Sequence, residues 1–96
     1  MKQPAVYILA SKPNGALYTG VTSHLIQRIW QHKNNLVDGY SKTHGTHLLV
    51  FYELHDEMLP AITREKQIKK WKRAWKIHLI EKANKNWMDS WDEISA

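Results

Sequence analysis

Five residues carry side chains whose types and spacing could do chemistry: Tyr7, Tyr18, Arg28, His32 and Glu65. Arg28 and His32 are four positions apart, so on a helix they present a fixed cation beside a proton carrier. Tyr7 and Tyr18 fall in two short apolar runs separated by a turn, where aromatic residues ordinarily pack across paired strands. By helical projection, Glu65 lies between an apolar stripe and a basic face. A carboxylate there either pairs with Lys69 one turn later, or serves as a hard-oxygen ligand for a magnesium-class ion completed by water and substrate phosphates. Spacing alone favours the ion pair.

Around Glu65 the charge is one-sided. Arg64, Lys66, Lys69, Lys70, Lys72, Arg73 and Lys76 place seven of the 14 basic residues within thirteen positions, with Glu65 the one acid among them. Lys66, Lys69, Lys70, Arg73 and Lys76 share the helical face opposite a tryptophan stripe. Such a face is either solvated surface or the footprint of a phosphate-backbone binder, where each neutralised phosphate releases counterions.

The elements that must position these groups follow from periodicity. Residues 4–10 form an apolar run too short for a helix, closed by Ser11, Lys12, Pro13, Asn14 and Gly15, and residues 16–22 form a second; together they predict an antiparallel hairpin. Ser23 is placed as the N-cap of an amphipathic helix that ends near Asp38 and Gly39. The polar stretch from Tyr40 to His47, which includes Lys42, reads as a loop, and Leu48 to Tyr52 as a third strand of the central type. After Asp56, a candidate N-cap, helical spacing returns through Ala61, Ile68, Trp71, Trp75 and Leu79. One straight rod would drive Arg64 and Lys72 into that stripe, so a break near residues 71–73 and two consecutive helices are expected. The tail is expected to dock Trp87 and Trp91 on the core.

The chain has 96 residues, with 14 Lys+Arg against 9 Asp+Glu and a formal net charge of +5. Length predicts one domain over residues 1–96, with its core over about 4–91. The absence of cysteine excludes disulfides and thiolate metal sites. His44 and His47 are spaced to share an ion, but no third and fourth ligand is grouped with them. No nucleotide-cradling glycine motif or serine-hydrolase elbow occurs. No apolar run is long enough to span a membrane, so the chain reads as cytoplasmic, without a signal peptide and with no membrane partner.

Taken in order, the residues resemble one family. Ala5-Val6-Tyr7, a ten-residue gap and Tyr18-Thr19-Gly20 look like the two-part signature of the GIY-YIG nucleases. Arg28 falls eight residues after Gly20, where that family carries its helix arginine, and His32 and Glu65 also match its pattern. The segment REKQIKKWKRAWKIHLIEKAN resembles the small single-domain bacterial branch, relatives of the nuclease domain found in the bacterial excision-repair excinuclease, with Asn84 matching a late asparagine. Both tripeptides keep the tyrosine and the second keeps its glycine, while the small and aliphatic positions differ. Thr22 stands near where the repair branch carries a lysine.

The resemblance implies an α+β fold, a three-stranded antiparallel sheet flanked by helices, and hydrolysis of DNA phosphodiesters, with a place in repair or recombination. RNA stays open as a substrate. Glu65 would hold one divalent cation, Mg2+ or Mn2+, and Arg28 would oppose charge on the non-bridging oxygens. Tyr18, assisted by Tyr7 or His32, would orient or deprotonate the attacking water, with Arg28 and the cation favouring proton loss from a tyrosine. Gly20 would let the backbone approach the substrate; Lys42, Lys66, Lys69, Lys70, Arg73, Lys76 and Asn84 would contact nucleic acid. So short a chain recognises nucleic-acid shape alone or borrows a protein partner for targeting. The alternative is a non-catalytic nucleic-acid-binding module working through residues 64–76. A protein-interaction domain ranks third, because the five Trp read as core.

Overall fold

The computed structural model describes residues 3–96. Its elements run β1 (Ala5–Ala10), β2 (Leu17–Thr22), α1 (Leu25–Lys33), α2 (Tyr40–His44), β3 (Leu48–Leu54), α3 (Met58–Lys70), α4 (Arg73–Ala83) and α5 (Trp91–Ser95). The strands form one antiparallel sheet in the order β2-β1-β3, flanked by helices as expected.

The strand order reassigns the centre. β1, not β3, is the middle strand, and all six of its residues are buried because helices cover both of its faces. Alternation along β1 splits the core in two. Val6, Ile8 and Ala10 pack with Val50, Ala61, Ile68, Ile80 and Trp87, beneath α3 and α4. Ala5, Tyr7 and Leu9 pack with Leu25, Ile29 and Leu49, against α1 and the tail.

β3 is an edge strand whose apolar run is explained by what covers it. Its register against β1 shifts between Ile8 and Leu9, so Val50 is an extra residue. Asn84 Nδ2 donates to the Val50 carbonyl at 3.0 Å, Ser90 N donates to the Leu49 carbonyl at 2.8 Å, and Asp89 Oδ1 accepts from Leu49 N at 3.1 Å. The tail thus occupies the groups that an edge strand leaves open. Trp87 is buried in one cluster and Trp91 packs on the other, as the docked tail requires.

Boundaries differ from expectation where the backbone found better partners. α1 begins after His24, not Ser23, and stops at Lys33. Asn35 adopts a left-handed φ of 57°, Asn35 N donates to the His32 carbonyl and Leu36 N to the Gln31 carbonyl, which together close the helix in a Schellman motif. α3 is capped at Glu57 rather than Asp56, with Pro60 inside its first turn. The expected break is present: Trp71 and Lys72 are extended between α3 and α4. It lets Arg64 turn toward Glu53, with Nε to Oε1 at 3.1 Å, while its guanidinium lies over the Trp71 ring. The tryptophans are not all core, however. Trp30 is 50% and Trp75 58% exposed.

Candidate active site

The site grows from the β1–β2 pairing, where Tyr7 faces Gly20. A β-carbon at Gly20 would overlap the Tyr7 phenol ring and oxygen. The missing side chain therefore makes room for the tyrosine. Tyr18 lies two residues before Gly20 and so on the same face. Its ring centroid is 6.3 Å from that of Tyr7 and 5.2 Å from the His32 ring.

α1 supplies the next two groups from adjacent turns of its inner edge. His32 is buried, with Nε2 2.9 Å from the Tyr7 hydroxyl and Nδ1 2.9 Å from Ser41 Oγ. Ser41 Oγ is in turn 2.6 Å from Thr46 Oγ1. Arg28 stands one turn earlier and lines a small polar cleft of about 170 Å³ with Thr22, Ser23, His24, Gln27 and Gln31.

Glu65 comes from α3, which packs over β2 and β1 through Ala61 and Ile68 on the β1 face opposite Tyr7. It is 8% exposed, and its Oε2 pairs with Lys69 Nζ at 2.9 Å, so the ion pair favoured by spacing is formed. Glu65 nevertheless acts on the cluster. The Tyr7 phenol is pushed well above its usual range by burial first and then by Tyr18, and the Arg28 cation that lowers it is opposed by the Glu65 carboxylate. Arg28 therefore does pull toward phenolate, as expected, but burial outweighs it and Tyr7 stays protonated. His32 is pushed down to about 4 by burial, then by Arg28 and His47, and is neutral near pH 7.

For a hard divalent cation, Glu65 offers a carboxylate that is shielded yet paired only with a lysine whose side chain is about half exposed. Among the described residues no three His, Cys, Asp or Glu gather at one point. A single carboxylate completed by water and phosphate oxygens is a coordination that a magnesium-class ion accepts, so the residues fit such an ion.

The basic residues divide. Lys66, Lys69 and Lys70 are exposed on α3. Lys76 belongs to α4, so the face is assembled from two helices rather than one, and burial, Arg73 and Lys69 lower its pKa. Arg73 is committed elsewhere, donating to the carbonyls of Asn14 and Gly15 at 2.7 Å each. Lys42 is exposed on α2 beside Asp38 at 3.6 Å. Asn84 is not brought to the tyrosines. Its amide is occupied by the carbonyls of Val50 and Met88 and the Met88 amide, next to β3 and across β1 from Tyr18.

Three residues beside the cluster escaped the sequence reading because residues 40–47 read as loop. Tyr40 stacks on Tyr18 at 6.4 Å, and Ser41 and Thr46 stand behind His32. The available signal was Tyr40 and His44, four apart between Gly39 and Gly45, which is a short helix with a left-handed glycine after it.

The family model described as the GIY-YIG catalytic domain matches residues 3–78. The chain is similar to a UPF0213 protein of Clostridium perfringens, 40% identical over 75 residues that cover 78% of this chain and 80% of that one. It is 36% identical to a UPF0213 protein of Staphylococcus haemolyticus over 84% of this chain and 98% of the relative. The solution NMR structure of a UPF0213 protein from Bacillus halodurans superposes with a TM-score of 0.57 at 25% identity, covering 92% of this chain and 93% of that one.

Proposed function

Because the chain belongs to the GIY-YIG nuclease family, we propose that it is an endonuclease that hydrolyses phosphodiester bonds in DNA with the help of one divalent cation. The observation that carries this reading is the convergence on one phenol. Tyr18 and His32 touch Tyr7, while Arg28 and Glu65, from two further directions, act on its charge. A tyrosine pair and a histidine in contact, with a guanidinium and a carboxylate whose charges are felt at the same phenol, form a donor and acceptor set suited to a phosphate diester and a water.

Arg28, in the lining of the polar cleft, binds the non-bridging oxygens of the scissile phosphate and opposes the charge that develops on them, a contribution of a few kcal/mol for a preorganised donor, or about 100-fold in rate. Tyr18 is half-buried and Tyr7 only 2% exposed, so Tyr18 meets the attacking water and Tyr7 orients it from behind. His32 holds the Tyr7 proton. Glu65 would hold Mg2+ or Mn2+ together with water and phosphate oxygens, and the bound ion supplies Lewis acidity at the phosphate. A cation held by Glu65 would free Lys69, which would then join Lys66, Lys70 and Lys76 on the phosphate backbone. The resemblance to the excision-repair branch extends this proposal to a role in DNA repair or recombination.

The test is cleavage of plasmid, single-stranded and branched DNA, and of RNA, by the parent and by Glu65→Ala, each with magnesium, manganese or chelator. Metal-dependent cutting by the parent, reduced at least about 100-fold in the variant, is the expected result. Full activity in Glu65→Ala would remove the metal assignment. The formed Glu65–Lys69 pair favours one competing reading, a nucleic-acid-binding module in which that carboxylate is structural. It predicts salt-dependent binding with no cutting on any substrate.

A further inference from the structure

Ser41 and Thr46 are 2% and 0% exposed; the Ser41 hydroxyl meets His32 Nδ1 and the Thr46 hydroxyl meets Ser41. Their hydrogens can be assigned in order. Thr46 Oγ1 lies 3.4 Å from the backbone carbonyl of Ser41, a group that only accepts. That contact is long and the same carbonyl takes the backbone amides of Gly45 and Thr46, so the order is set from the other end. The buried Tyr7 hydroxyl has His32 Nε2 as its partner at 2.9 Å, and donating to it puts the hydrogen of the neutral ring on Nδ1, facing Ser41 Oγ at 2.9 Å. The Ser41 proton then lies in the 2.6 Å contact with Thr46.

We propose that Ser41 and Thr46 are positioning residues that lock His32 in its Nδ1–H tautomer, turning the Tyr7 proton inward and leaving the Tyr7 oxygen lone pairs free to accept a hydrogen bond from the attacking water. The functional part of this rests on the nuclease reading; the tautomer does not. The opposite tautomer would donate Nε2–H to the Tyr7 oxygen and occupy a lone pair that the water needs. Both supporting residues come from the segment that follows α1, so the tautomer of a helix histidine is held by a contact across a turn. Which ring nitrogen is protonated follows from what the other one bonds.

The experiment is nitrogen NMR of the histidine rings, without substrate, in the parent and in Ser41→Ala, Thr46→Val and Ser41→Thr. Thr46→Val keeps shape, so the comparison survives if Ser41→Ala does not fold. The parent and Ser41→Thr should show His32 with hydrogen on Nδ1. Ser41→Ala removes the acceptor, and Thr46→Val frees the Ser41 proton to point at Nδ1; both should move hydrogen to Nε2. Single-turnover cleavage should fall on the order of 100-fold in those two and be restored in Ser41→Thr. A parent with hydrogen on Nε2, or a tautomer unmoved in both variants, would overturn the proposal. A parent that cuts nothing under any metal condition would overturn the nuclease reading instead, while the ring signals would still report the tautomer.

Discussion

At the scale of single residues, His32 ties the site to stability. Its pKa is lowered to about 4, with burial the largest cause, so between that value and the ordinary one near 6.5 the unfolded chain binds a proton that the native chain refuses. Stability is therefore fully present above about pH 6.5 and is lost as pH falls toward 4, by up to about 3 kcal/mol for a shift of this size. Urea unfolding from pH 4 to 8 should show this slope in the parent and a flatter one in His32→Gln; equal slopes would remove the assignment. Spacing put Tyr7, Tyr18, Arg28, His32 and Glu65 each on its element, while reading them as one set came from the resemblance to the GIY-YIG nucleases. Ser41 and Thr46 were not readable, since their value lies in a bond to a ring on another element.

At the scale of elements, the basic cluster separates into parts with different tasks. Lys66 and Lys70 are exposed on α3, whereas Arg73 at the start of α4 holds the β1–β2 turn by its carbonyls. Replacing Lys66 and Lys70 by Ala should weaken nucleic-acid binding and flatten its salt dependence, by about one unit of logarithmic slope per lost phosphate contact, with little change in melting temperature. Arg73→Ala should do the reverse, lowering the melting temperature more than the binding. Fluorescence anisotropy across a salt series, with thermal melts beside it, distinguishes the two. The division between α3 and α4 was legible in advance, because Arg64 and Lys72 would otherwise have entered an apolar stripe. The end of α1 was not. Leu36 and Val37 continued the apolar pattern, but Asn35 in a left-handed conformation closed the helix first and left Leu36 exposed.

At the scale of the whole molecule, the tail acts as the closing element of the sheet. Asp89 accepts from the backbone amides of Leu49 and Trp91 and pairs with Lys33 of α1, linking β3, the tail and α1 through one carboxylate. Asp89→Ala should cost about 1–3 kcal/mol, the range for leaving buried hydrogen-bond partners unmet. Hydrogen exchange at Leu49 and through α5 should accelerate in that variant while β1 stays protected; uniform protection throughout would show the clasp to be unimportant. The described residues contain no helix long and apolar enough to cross a membrane.

What the sequence determined by itself was local. It specified the runs that became β1, β2 and β3, the break at residues 71–73, the one-sided charge and the ordered residues of a GIY-YIG signature, because each depends on neighbours within a turn or two. The tertiary structure alone decided that β1 lies at the centre, that Asn84 is spent on Val50, that Arg73 serves the hairpin turn, and that the Tyr7 hydroxyl meets a histidine 25 positions away. Those choices follow from strand order, from the extra residue at Val50, and from the demand that every buried polar atom find a partner. Such partners are selected by distance in space, on which spacing along the chain has no hold.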